Sequence, residues 1–193
     1  MLRSLDKVLQ LEIHAFFDYI KTIRYGYRDR KGCVHVMEVS DDYSKQEECF
    51  AYVFSSPEEV VKDRCGWCWD VANLIVCYCR AHGLEYKSYF MEYCSETFHQ
   101  THTQVFVHYD GLWYEAPDNS SPVTFGSVGF SDLQKCVLAF SGEFVGYLKS
   151  VLQGDYDEKY FLLKEYSCEI RRGISDGEYL ALVRGDGGTE RKT

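Results

Sequence analysis

Cys65-Gly66-Trp67-Cys68-Trp69-Asp70-Val71-Ala72-Asn73-Leu74-Ile75-Val76-Cys77-Tyr78-Cys79-Arg80-Ala81-His82-Gly83 is the stretch on which the fold turns. At 100° per residue, Asp70, Asn73 and Arg80 fall on one narrow stripe. Nearly every other position from Cys68 to Ala81 is Trp, Val, Ala, Leu, Ile, Cys or Tyr. A helix apolar on almost all sides belongs inside a domain, with other elements packed around it. Gly83 supplies a left-handed C-cap, and Cys65-Gly66-Trp67 is the break before the helix begins. Just upstream, Ser56-Pro57-Glu58-Glu59 reads as an N-cap, a Pro at the first helical position and two acids at the positive end of the dipole. That pattern predicts a short helix to about Lys62.

Downstream of Gly83 the texture changes to period two and to β-favouring residues. Tyr86–Tyr93, Thr101–Tyr109 and Leu112–Ala116 read as three successive strands, the last two joined at the Asp110-Gly111 hairpin signal. Ser131-Asp132 opens a helix to about Leu152, Tyr160–Tyr166 reads as a strand, and Ser175-Asp176-Gly177-Glu178 caps a last helix through Val183. On the upstream side, apolar residues at helical spacing predict one amphipathic helix from Leu5 to Tyr25. Tyr25-Gly26-Tyr27 and Lys31-Gly32 read as turns, and Val34–Val39 as a short strand. Helices first and antiparallel strands afterwards make the class α+β. The expected organisation is a single domain over 1–184: a helical part to about 64, a core over about 65–120, and a helix and strand over 121–184. The polar tail 185–193 is expected to be disordered.

The 193 residues, 46% hydrophobic and 16% aromatic, suffice for one domain with a real core. The longest apolar run, Leu74 to Cys79, is far too short to span a bilayer. Arg3, Asp6, Lys7, Glu12 and His14 interrupt any secretory apolar region, so a cytoplasmic protein is expected. Thirty acids against 21 bases give −9, a balance that repels phosphate backbones, so nucleic acid and membrane surfaces are not expected partners. Nine cysteines are an odd number with no regular framework, and reduced thiols are expected.

Three side chains carry the chemistry. Cys68 stands in the first turn of the enclosed helix, where unpaired N–H groups and the dipole favour a thiolate, the nucleophilic form. His102 opens a strand in Thr101-His102-Thr103-Gln104-Val105-Phe106, a position from which an imidazole can take the thiol proton. His99 and His108 are weaker candidates. Counting outward from the Asp110-Gly111 turn sets position 102 opposite about 119, so Asp118 is the acid to orient the ring, with Glu115 as the alternate.

Gly66-Trp67-Cys68-Trp69-Asp70-Val71-Ala72 resembles the nucleophile segment of the transglutaminase-like superfamily, a Gly-x-Cys followed by a large residue. Thr101-His102-Thr103 is similar to that superfamily's histidine strand, and Trp113-Tyr114 followed by Asp118-x-Ser120 to its acidic strand. The likeness extends loosely over about 20–183, toward a bacterial branch. It departs at Asp118, five residues after Trp113 where four is usual, at the polar Gln104, and at the extra thiol of Cys65. The resemblance implies a papain-like α+β core and acyl transfer on an amide through a thioester, with Cys68, His102 and Asp118 as the triad. The Cys68 amide would form part of the oxyanion hole, with a second donor near Trp67 or Trp69. Water as acceptor gives peptide or isopeptide hydrolysis, slightly favoured, and an amine gives transglutaminase-type transfer. The expected partner is a protein or peptide substrate, and no cofactor or metal is implied. Rival readings are a catalytically silent protein-binding module on the same fold, and a thioredoxin-like Cys65-x-x-Cys68 redox pair. The redox pair lacks the hydrophobic parallel strand such a motif follows. Zinc would need Cys77, Cys79, His82 or Cys94, and Cys77 and Cys79 point about 200° apart on a helix.

Overall fold

The computed structural model describes residues 2–37, 52–167 and 170–185. The enclosed helix is α4, Cys68–His82, ended by Gly83 in the left-handed conformation (φ 64°). Nine of its residues are buried. It packs against α1 (Leu5–Leu9), α2 (Ile13–Ile20) and α3 (Pro57–Asp63), and against one face of the larger sheet through Val105 and Val107. Of the predicted helix starts, Ser56 and Ser175 each form a reciprocal capping box with the glutamate three residues on.

The larger sheet is wholly antiparallel in the order β7-β6-β5-β8. Its strands are β5 (Glu85–Cys94), β6 (His99–Tyr109), β7 (Leu112–Glu115) and β8 (Phe161–Tyr166). The β6–β7 turn uses Asp110 and Gly111, both at positive φ, as the Asp-Gly signal requires. Helix α5 (Leu133–Leu152) lies on one face of this sheet, where Phe106 meets Phe140. Helices α4 and α6 (Asp176–Arg184) lie on the other, where Tyr179 stacks on Trp69 and meets Phe90 edge-on. The α+β class is thus shown, with helices on both sheet faces rather than one. No helix among the described residues is long and apolar enough to cross a membrane.

Four expectations are corrected. The predicted Leu5–Tyr25 helix is two helices broken at 10–12. The break frees carbonyls that α4 uses: Tyr78 Oη donates to Leu11 O at 2.8 Å, and His82 Nε2 lies 2.7 Å from Leu9 O. Tyr25-Gly26-Tyr27 is not a turn but part of β1 (Arg24–Asp29). That strand pairs with β2 (Val34–Val36), β3 (Tyr52–Val53) and, in parallel, β4 (Cys65–Gly66), giving a second sheet that period-two reading missed. Gly26 is there for close approach, since a Cβ would collide with His35 O and come within 2.8 Å of Cys65 Sγ. His99, two residues before the strand predicted over Thr101–Tyr109, starts β6. Asp70, assigned to a polar stripe on α4, is 2% exposed. The end of the Val34–Val39 strand and the tail beyond 185 lie outside the described residues.

Candidate active site

The start of α4 is built by Asp70. Its carboxylate accepts from the Trp67 N–H at 3.2 Å and the Ser55 N–H at 2.9 Å, so one buried side chain ties the chain before α4 to the segment before α3. Burial pushes its pKa up to about 7 against the pull of those two amides. This arrangement places Cys68 at the first helical position, 6% exposed, among Trp69, Phe90 and Tyr179.

Around the sulfur, burial is the dominant influence and drives the thiol pKa far above its ordinary value; Asp118 and Asp70 add to the rise. The backbone amides of Thr103 and Trp69 oppose it as donors. Beyond Glu115, β7 no longer covers β6. Ala116 N–H still bonds Val105 O at 3.0 Å, and past that point the sulfur sits against the open edge of β6.

Pleat alternation then separates the side chains. Thr103 faces α4 and α6, its hydroxyl 2.7 Å from Tyr179 Oη. His102 therefore faces the opposite side, tilted against Phe140 and stacked over Phe144 of α5. Its Nε2 lies 3.4 Å from Gln104 Oε1 and 4.0 Å from Asp118 Oδ2. No hydrogen bond joins the imidazole to Cys68. Asp118 is drawn to this edge as the hairpin count requires, 4.0 Å from the imidazole and near enough to act on the thiol. Its Oδ1 accepts from Ser120 N, Ser120 Oγ and Ser121 N at 2.7–2.8 Å, while Oδ2 is buried without a hydrogen-bond partner. Asn119 Nδ2 fastens the same loop to Gly66 O at 2.9 Å.

Gln104 is the residue that reading the sequence undervalued. Its Nε2 donates to Ala116 O at 2.6 Å and to Val105 O at 3.0 Å, pinning the end of β7 to β6 while its oxygen turns to His102. Its only signal was a polar residue in a β-favouring run. Trp67 packs among Tyr25, Tyr27 and Tyr52, and Trp69 between Phe54 and Tyr179, so both indoles serve the core. Glu115 lies on the α5 side, its pKa pushed up to about 7 by burial and then by Glu143 and Asp118. Cys65 donates to His35 O at 3.7 Å, toward the smaller sheet. Among the described residues, Glu92, Cys94 and His99 bring potential ligand atoms within 4.8 Å of one another, but Glu92 is already paired with both Arg184 and His99.

Comparison with models of known protein families finds no match, and comparison with curated proteins finds no significant match.

Proposed function

We propose that this chain is a thiol acyl-transfer enzyme of the papain-like, transglutaminase-like type, with Cys68 as nucleophile, His102 as proton carrier and Asp118 as orienting acid. One observation carries the reading. Asp118 holds a buried, unpartnered oxygen 4.0 Å from His102 Nε2 and lies close enough to raise the Cys68 pKa. A buried carboxylate oxygen without a donor is costly, and an imidazole N–H is the donor within reach. The Thr103 amide that acts on the sulfur is two covalent bonds from His102 Cα.

In the chemistry proposed, His102 accepts the Cys68 proton, and the thiolate attacks an amide carbonyl to form the carbon–sulfur bond. The imidazolium then gives its proton to the departing amine, leaving a thioester. Water or a second amine attacks that thioester, His102 takes the attacker's proton, and the proton returns to sulfur. The ground-state arrangement is a closed one, its thiol neutral and its imidazole parked on the α5 face.

A second reading, a protein-binding module with a silent triad, is favoured by the burial of Cys68 and the opposed faces of Thr103 and His102. Profiling with an acyl-reactive probe separates the two. The enzyme reading expects one adduct, mapped to Cys68 and absent in Cys68→Ala. Labelling of Cys68 no faster than Cys65 or Cys136 supports the module.

A further inference from the structure

The closed end of the β5–β6 hairpin gathers three different metal-binding side chains. Cys94 and His99 are a direct cross-strand pair, and Glu92, two residues before Cys94, shares their face by strand alternation. The turn between them is held locally: Ser95 N–H donates to Phe98 O at 2.9 Å, and Phe98 N–H to Ser95 Oγ at 3.1 Å. A Glu92 carboxylate oxygen, the Cys94 sulfur and a His99 ring nitrogen all lie within 4.8 Å of one another, Glu92 buried and the other two exposed. The pairs that Glu92 already makes prepare this site rather than fill it. Arg184 Nε donates to Oε2 at 2.8 Å, and its Nη2 reaches Oε1, so α6 fixes the carboxylate from behind, as outer hydrogen bonds fix ligating carboxylates. Oε1 lies 2.6 Å from His99 Nε2, a pair that shares a proton whose place an ion can take. Charge agrees, since Asp176 acts on the same cluster through His99 and Arg184. With the Cys94 thiol ionised, Glu92, Asp176 and Cys94 carry three negative charges against the single positive charge of Arg184, and a dication makes the group neutral.

We propose that this hairpin end binds Zn²⁺ through Glu92, Cys94 and His99, with water in the fourth position. A thiolate beside an imidazole selects zinc over magnesium or calcium, which take oxygen donors. Donors around a tetrahedral zinc ion stand roughly 3.3–3.6 Å apart, given bonds of about 2.3 Å to sulfur and 2.0–2.1 Å to nitrogen. The Glu92–His99 contact widens to that spacing as the ion replaces the shared proton, and the exposed Cys94 thiol swings in, its own proton passing to solvent. Cys94 thus finds its partners across the hairpin, not on α4. The site shares no residue with Cys68, His102 and Asp118, so it stands or falls independently of the acyl-transfer reading.

The test is titration calorimetry with zinc chloride, under reducing conditions, on the full chain in its Cys68→Ala form, which takes the proposed nucleophile out of the readout. Cobalt(II) is titrated in parallel and followed by absorbance. Saturable zinc binding is expected, weakened at least about tenfold in Cys94→Ser and in His99→Ala, both at exposed positions. Cys33→Ser, which removes another exposed thiol, should bind like its parent. The cobalt complex should show sulfur-to-metal charge-transfer absorption that vanishes in Cys94→Ser, and magnesium in large excess should not displace zinc. The proposal is overturned by the absence of saturable zinc binding, or by Cys94→Ser or His99→Ala proteins that bind like their parent. Equal weakening in Cys33→Ser, a cobalt complex without the charge-transfer band, or displacement by magnesium would overturn it too.

Discussion

At the residue scale, the candidate site shows what a single strand hides. The Asp110-Gly111 count set position 102 opposite about 119, and the observed pairs Phe106↔Glu115 and Val107↔Tyr114 have that same register. Which face His102 takes was not legible, because both alternating sets on β6, Thr101-Thr103-Val105-Val107 and His102-Gln104-Phe106-His108, mix polar and apolar residues. Only packing decides, and Phe106 against Phe140 takes the even set to α5. Glu115, on that face, gives a prediction with a definite sign. Its folded pKa of about 7 stands above its ordinary 4.5, so the folded state binds the proton more tightly than the unfolded chain. Its stabilising effect is fully present below about 4.5 and is lost as pH rises through about 7. Asp70, also raised to about 7, adds to the same trend. Calorimetric melting from pH 5 to 8 should show the stability of Glu115→Gln minus that of the wild type rising with pH; a difference that falls with pH contradicts the assignment.

Elements were most legible where local chemistry alone determines them. Ser56-Pro57 and Ser175-Asp176 start helices because a hydroxyl at the cap satisfies an otherwise orphaned amide, and Gly83 ends α4 because it tolerates positive φ. The smaller sheet was not legible, since β4 has two residues and β3 two, too few for a period. The role of Asp70 was hidden for a related reason: a carboxylate on a helical stripe does not name its partners, the amides of Ser55 and Trp67. Asp70→Ala should cost about 1–3 kcal/mol in denaturant unfolding, leaving two buried amides unpaired. A loss below about 0.5 kcal/mol would mean that these bonds do not hold the start of α4. Gly26→Ala should destabilise by at least about 1–3 kcal/mol, because the added carbon meets the His35 backbone rather than a yielding side chain. A near-neutral result would show that β1 and β2 are not so closely apposed.

On the scale of the whole molecule, one apolar helix organises two sheets and sets a cysteine at the open edge of β6. Replacing Leu74, fully buried in the core that α4 shares with α1, α2 and α3, by Ala should cost roughly 2–5 kcal/mol in the same unfolding assay; less than 1 kcal/mol would contradict the central place of α4. The proposed acyl transfer requires the His102 imidazole to leave Phe144 for the sulfur when substrate enters. The direct measurement is the rate of Cys68 acylation by an acyl-reactive probe from pH 5 to 9, in the wild type and in His102→Ala, followed by intact-mass spectrometry. The proposed triad predicts that His102→Ala is acylated about 10²–10⁴-fold more slowly than the wild type at pH 7 and gains rate only at alkaline pH. Superimposable profiles in the two proteins would contradict it.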